Sequence, residues 1–120
     1  MKVNILGTEY TFEVKKKTAE ETLLNEDADG LCEIYDKRIV VRPANEMGAN
    51  TTAGSYYRYK HVVIHEVAHA FAQESGSSYE HDERLIDWMA EMIPHINLVV
   101  DQILFEQRAN EEKDNGTETG

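Results

Sequence analysis

The stretch "VVIHEVAHAF", residues 62–71, sets two histidines four residues apart in an apolar run, with a glutamate directly after the first. On a helix, side chains four apart stand one above the other, so His65 and His69 can bring imidazole nitrogens to one ion. Glu66 is turned by about 100° from His65 and can reach a water on that ion without taking a ligand position. Zinc accepts neutral imidazoles and carboxylates, and it lowers the pKa of a bound water from about 15.7 to about 7. A carboxylate at the position of Glu66 is then placed to act as general base while the water attacks a carbonyl. A single satisfied histidine inside a core is ordinary. Three polar side chains on one buried helix cost several kcal/mol unless they are paired or coordinate a metal.

A hydrolytic zinc site needs a third protein ligand and an open position. Glu80, His81, Asp82, Glu83, Asp87, Glu91 and His95 all follow the motif. Glu83 with Asp87 is the favoured pair, because the two share one helix face at i, i+4: Glu83 as third ligand and Asp87 as acceptor of a ligand histidine's other N–H. His61 stands on the His65/His69 row, but eight helical residues rise by about 12 Å, too far for both ends to reach one ion.

The elements that must position these residues are legible in outline. The segment "VNILGTEYTFEV" alternates on both sides of Gly7-Thr8 and predicts a hairpin. "KKKTAEETLLNEDADG" has helix-compatible composition and ends on the turn signal Asp29-Gly30. "LCEIYDKRIVVRP" predicts a second hairpin turning near Asp36-Lys37, with Pro43 stopping the ladder. The motif helix is expected from Tyr56 or Tyr57 to Ser75, closed by Gly76, with Val63, Val67 and Phe71 in one buried row and Ile64 with Ala68 in the next. Ser77-Ser78-Tyr79-Glu80 has capping-box form. A second long helix should follow, with a stripe of Leu85, Met89, Ile93, Ile96, Val100 and Ile103 or Leu104 that reaches Phe105, kinked or broken at Pro94. The expectation is an α+β chain with a small, mainly antiparallel N-terminal sheet packed on two helices. Residues 1–110 should form one domain, and the aperiodic acidic residues 111–120 a disordered tail.

Composition narrows the partners. The net charge of −11, from 23 acidic and 12 basic residues, argues against binding a phosphate backbone, so no nucleic acid is expected. Neither a membrane span nor a signal peptide is visible, and a lone cysteine, Cys32, excludes a disulfide within the chain. A cytoplasmic protein is expected.

"HEVAHAFAQESG" followed by "DERLIDWMAEMIP" resembles the gluzincin pattern, in which H-E-x-x-H is followed on the next helix by E-x-x-x-D. More narrowly it is similar to the ImmA/IrrE group of zincin metallopeptidases and their small phage-type relatives. The resemblance covers about residues 58–95. It implies a minimal zincin-like fold, a zinc cofactor held by His65, His69 and Glu83, Glu66 as general base and Asp87 as the carboxylate behind a ligand. The implied partner is a protein or peptide substrate bound in extended form on an edge strand within "KRIVVR". The interval from His69 to Glu83 is short for gluzincins and requires a tight connection through Gly76. No residue matches the family's downstream oxyanion-stabilising His or Tyr, which leaves Tyr79, His81 and His95 as donors to consider. A different class of reading, a catalytically silent zincin-fold protein whose acidic surface occupies a basic partner as inhibitor or adaptor, would make Glu66 dispensable.

Overall fold

A computed structural model describes residues 1–77, 79 and 82–118, the last five of these by backbone alone. Its elements are β1 (Lys2–Ile5), β2 (Thr8–Val14), α1 (Glu21–Glu26), β3 (Gly30–Glu33), β4 (Arg38–Val41), α2 (Thr52–Glu74) and α3 (Glu83–Glu118). Short 3₁₀ turns occupy Lys17–Ala19 and Ala44–Glu46. The chain divides into two compact units, Met1–Ala90 and Glu91–Gly120.

In the first unit both expected hairpins form. The β1–β2 turn is Leu6-Gly7, each with positive φ, rather than Gly7-Thr8. Such a two-residue connection matches the right-handed twist of its strands only when both central residues take positive φ. The second hairpin pairs β3 with β4, Leu31 opposite Val40 and Cys32 opposite Ile39.

The hairpins join through a parallel pairing of β2 with β4, giving a mixed sheet in the order β1-β2-β4-β3. That order corrects one expectation. "KRIVVR" lies on β4, an interior strand with neighbours on both sides, and β3 is the edge on that side. Sequence shows the hairpins because they are local; the β2–β4 pairing joins strands with α1 and β3 between them.

An interior strand covered on both faces needs apolar residues in both registers. β4 supplies them: Ile39 and Val41 face one core with Ile5, Tyr10, Met47 and Ala70 of α2, while Val40 faces a smaller core with Leu23 of α1 and Leu31. Glu74, in the last turn of α2, ties that helix to the sheet. It accepts from Thr8 Oγ1, Tyr10 OH and Lys37 Nζ at 2.9, 2.8 and 2.6 Å.

α2 starts a turn earlier than expected. Thr51 is extended, and its Oγ1 accepts from the Gly54 N–H at 2.9 Å, so the cap lies upstream of the tyrosines. The helix ends as expected on Gly76 (φ 73), with the Ser77 N–H donating to Ala72 O and the Gly76 N–H to Gln73 O. Of the two apolar rows, Ala68 is buried and Val63, Val67 and Ile64 are partly buried, but Phe71 is 41 % exposed. α3 begins at Glu83, where Asp82 Oδ1 accepts from the Leu85 N–H at 3.1 Å. Residues 78, 80 and 81 of the expected capping box and ligand list lie outside the described residues. Ile86 and Ala90 are almost wholly buried.

The second unit is helical from Glu91 to Glu118, through Pro94 without interruption and past residue 110. The segment read from its lack of periodicity as a tail has a helical backbone to Glu118; apolar periodicity reports burial, and an exposed helix needs none. No helix among the described residues is long and apolar enough to cross a membrane.

Candidate metal centre

All five residues singled out from the sequence come together within residues 1–90. Val62, Val63 and Val67 seat α2 against the sheet, which fixes the helix's rotation and presents His65 and His69 to the start of α3. Their Nε2 atoms are 3.2 Å apart, with the rings edge to face. Glu83, in the first turn of α3, closes the triangle, with Oε2 at 3.3 Å from His65 Nε2 and Oε1 at 3.1 Å from His69 Nε2. Ligands held tetrahedrally at about 2.0–2.1 Å from a common ion are separated by about 3.3–3.4 Å. The separation of the two imidazole nitrogens is close to that edge length, Glu83 turns a different oxygen to each ring, and with one ligand atom from each residue the donors lie within 4.8 Å of one another, so His65, His69 and Glu83 could hold one metal ion.

Asp87, one turn further along α3, places Oδ1 at 2.8 Å from His65 Nδ1. A carboxylate only accepts, so the His65 N–H is on Nδ1 and the lone pair of the neutral ring is on Nε2, facing His69 and Glu83. Burial, reinforced by His69, holds the His65 pKa below its ordinary value against the opposing pull of Asp87 and Glu83, which favours the neutral, ligating form. Two imidazole nitrogens and a carboxylate oxygen converging in this way form a donor set for a divalent first-row metal, of which zinc is one.

Glu66 is turned toward the sheet and is only 6 % exposed. Its Oε1 is 3.7 Å from His65 Nε2, outside hydrogen-bond reach but beside the donor triangle. Burial, with the charge of Glu83 adding to it, pushes the Glu66 carboxyl up to about 8. A carboxyl group poised near neutrality can both take and return a proton. Glu83 and Asp87 are largely exposed, so the centre is buried on its Glu66 side and open to solvent on the α3 side.

Next to Glu66 lies a pocket of about 190 Å³ lined by Asp29, Gly30, His61, Val62, His65 and Glu66. His61, too far along the helix to share an ion with His69, sits at the edge of the centre. Gly30 was read only as a turn signal. Here it opens β3 against α2, where a Cβ would stand 2.8 Å from Val62 Cγ1 and 3.1 Å from Glu66 Cγ. The available signal was a glycine at the start of an apolar strand, which marks close approach of backbone to another element. Asp29 is engaged by Arg42, whose Nη1 donates to Oδ1 at 2.8 Å and whose backbone N–H donates to Asp29 O at 2.9 Å.

Tyr79 is 56 % exposed, His81 lies outside the described residues, and His95 belongs to the second unit. No protein-family model, curated protein or solved structure matches the chain.

Proposed function

We propose that this chain is a zinc-dependent metallopeptidase that hydrolyses peptide bonds in a protein or peptide substrate. The observation that carries the reading is the convergence of His65, His69 and Glu83, whose ligand atoms lie within 4.8 Å of one another, with Asp87 behind one histidine and the buried Glu66 beside it. Zinc in that triangle supplies Lewis acidity and lowers the pKa of a water it polarises to about 7. The remaining work belongs to the chain. Asp87 fixes the His65 ring and tautomer, and Glu66 takes the proton of the attacking water and returns it to the departing amine.

The open side of the centre leaves room for a main-chain carbonyl. Among the described residues β3 carries β4 on one side and no strand on the other, so an extended substrate can align along it by strand addition. The 190 Å³ pocket beside Gly30 and Val62 then receives one substrate side chain of modest size.

The test is direct. Purified protein should carry about one zinc per chain, and Glu66→Gln should keep the zinc while cleavage of a casein or peptide-library substrate is lost. An unchanged cleavage rate in Glu66→Gln would overturn the mechanism. If neither form cleaves, and reversing surface acids abolishes binding to a basic protein, the acidic binding reading replaces it.

A further inference from the structure

The apolar stripe of α3 does not stop where the first unit ends. Within residues 91–113, Ile93, Ile96, Val100 and Ile103 recur at alternating spacings of three and four, and Gln107 and Asn110 continue the same row. Met92, Val99 and Leu104 flank it. From sequence, Ile93, Ile96, Val100 and Ile103 belong to one helical apolar stripe. Ile96, Val99, Val100, Ile103 and Leu104 are between 44 % and 57 % exposed. Together these side chains present roughly 500 Å² of apolar surface, larger than scattered single residues account for and near the ~600 Å² per partner at the low end of specific interfaces.

We infer that residues 92–110 of α3 pair, parallel and in register, with the same residues of a second copy of this chain. Three observations favour that occupant. The three-four spacing is the seam of a helix pair, in which each seam residue inserts between residues of the facing helix. The chain as a whole carries a net charge of −11 and repels its own copy over most of its surface. Between Met92 and Phe105, however, the only charged residue is Asp101, which the helical rotation places away from the row. Over residues 92–105 the face offers a basic partner no acid to meet and a like copy no charge to repel; Glu106 and Arg108 follow beside the terminal amides. Finally, the row ends in two amides. In a parallel, in-register pair Gln107 meets Gln107 of the second copy and Asn110 meets its own equivalent, so each donor and acceptor finds a match. An antiparallel pair would set those amides against isoleucines and leave them unsatisfied.

The experiment is sedimentation of the full-length protein over a range of concentrations. The expected result is a dimer that dissociates in the double variant Ile96→Gln/Ile103→Gln. Leu98→Gln, on the opposite side of the helix, should leave the dimer intact. Metal content and helical circular dichroism report that each variant is folded. A monomer at the highest attainable concentration, or a dimer that survives the double variant, overturns the inference. Register is read by placing Gln107→Cys in a Cys32→Ser background. Under mild oxidation the parallel pair gives a disulfide-linked dimer, and a dimer that does not cross-link shows the alignment to be wrong.

Discussion

Asp87 touches the site through one atom, yet it decides which nitrogen of His65 carries the proton. Its Oδ1, 2.8 Å from Nδ1, keeps the lone pair on Nε2. Asp87→Ala should therefore weaken zinc affinity by about 10–100-fold, the usual cost of losing such a carboxylate, without removing a ligand. Competition with a chromophoric chelator measures it, and an unchanged affinity would show that Asp87 is only surface charge. A second carboxylate, Glu74, bears on stability. The Lys37 ammonium, then the Tyr10 and Thr8 hydroxyls, hold its pKa below the ordinary 4.5. Its folded pKa is thus below its unfolded one, so its contribution is present above pH 4.5 and is lost as pH falls through the depressed value. Urea denaturation below pH 4.5 should show a shallower pH dependence in Glu74→Gln than in the parent. At this scale the sequence was most readable, because helix geometry alone fixes how His65, Glu66 and His69 stand. Gly30 was not readable, because its closeness to Glu66 depends on how β3 packs on α2.

Among the elements, those whose cause is local were readable and those set by distant pairing were not. The turn dipeptides, the alternation in β2 and the glycine that ends α2 predict two hairpins and a helix stop, and all three form. The parallel β2–β4 pairing has no local signature, and missing it placed the sheet edge on β4 instead of β3. The start of α2 was missed for a different reason. It was read from the tyrosines, whereas the cap is Thr51, whose hydroxyl satisfies an otherwise unpaired N–H. The first hairpin also contains a locally unfavourable choice. Leu6 adopts φ 50 while 58 % exposed, a conformation that asparagine and glycine reach far more easily. Leu6→Asn creates the Asn-Gly dipeptide favoured in this turn and should stabilise the protein by about 0.5–1 kcal/mol. Chemical denaturation checks the sign; a loss of stability would mean that the leucine side chain makes a contact that outweighs the backbone strain.

At the scale of the whole chain, the two units carry different tasks. The residues named at the metal centre and its pocket, from Asp29 to Asp87, lie in residues 1–90, and so do both hydrophobic cores. The apolar row at Ile96, Val100 and Ile103 lies wholly in residues 91–120 and contributes to neither core. A site whose three candidate ligands, general base and positioning carboxylate all lie in the first unit is expected to persist when most of the second is removed. A chain shortened to residues 1–95 retains Glu83, Asp87, Ile86 and Ala90 and about three turns of α3, enough to preserve the helix that supplies the third ligand. It should bind zinc with the affinity of the full-length protein and cleave the same substrates, while sedimenting as a monomer. Loss of zinc in the shortened chain would mean that the long helix, and with it Glu83, is held in place only by pairing. The site would then be complete only in the dimer, and zinc affinity of the full-length protein would fall on dilution. Unchanged zinc affinity across that dilution, together with a zinc-loaded short chain, is the outcome expected if residues 1–90 build the centre by themselves.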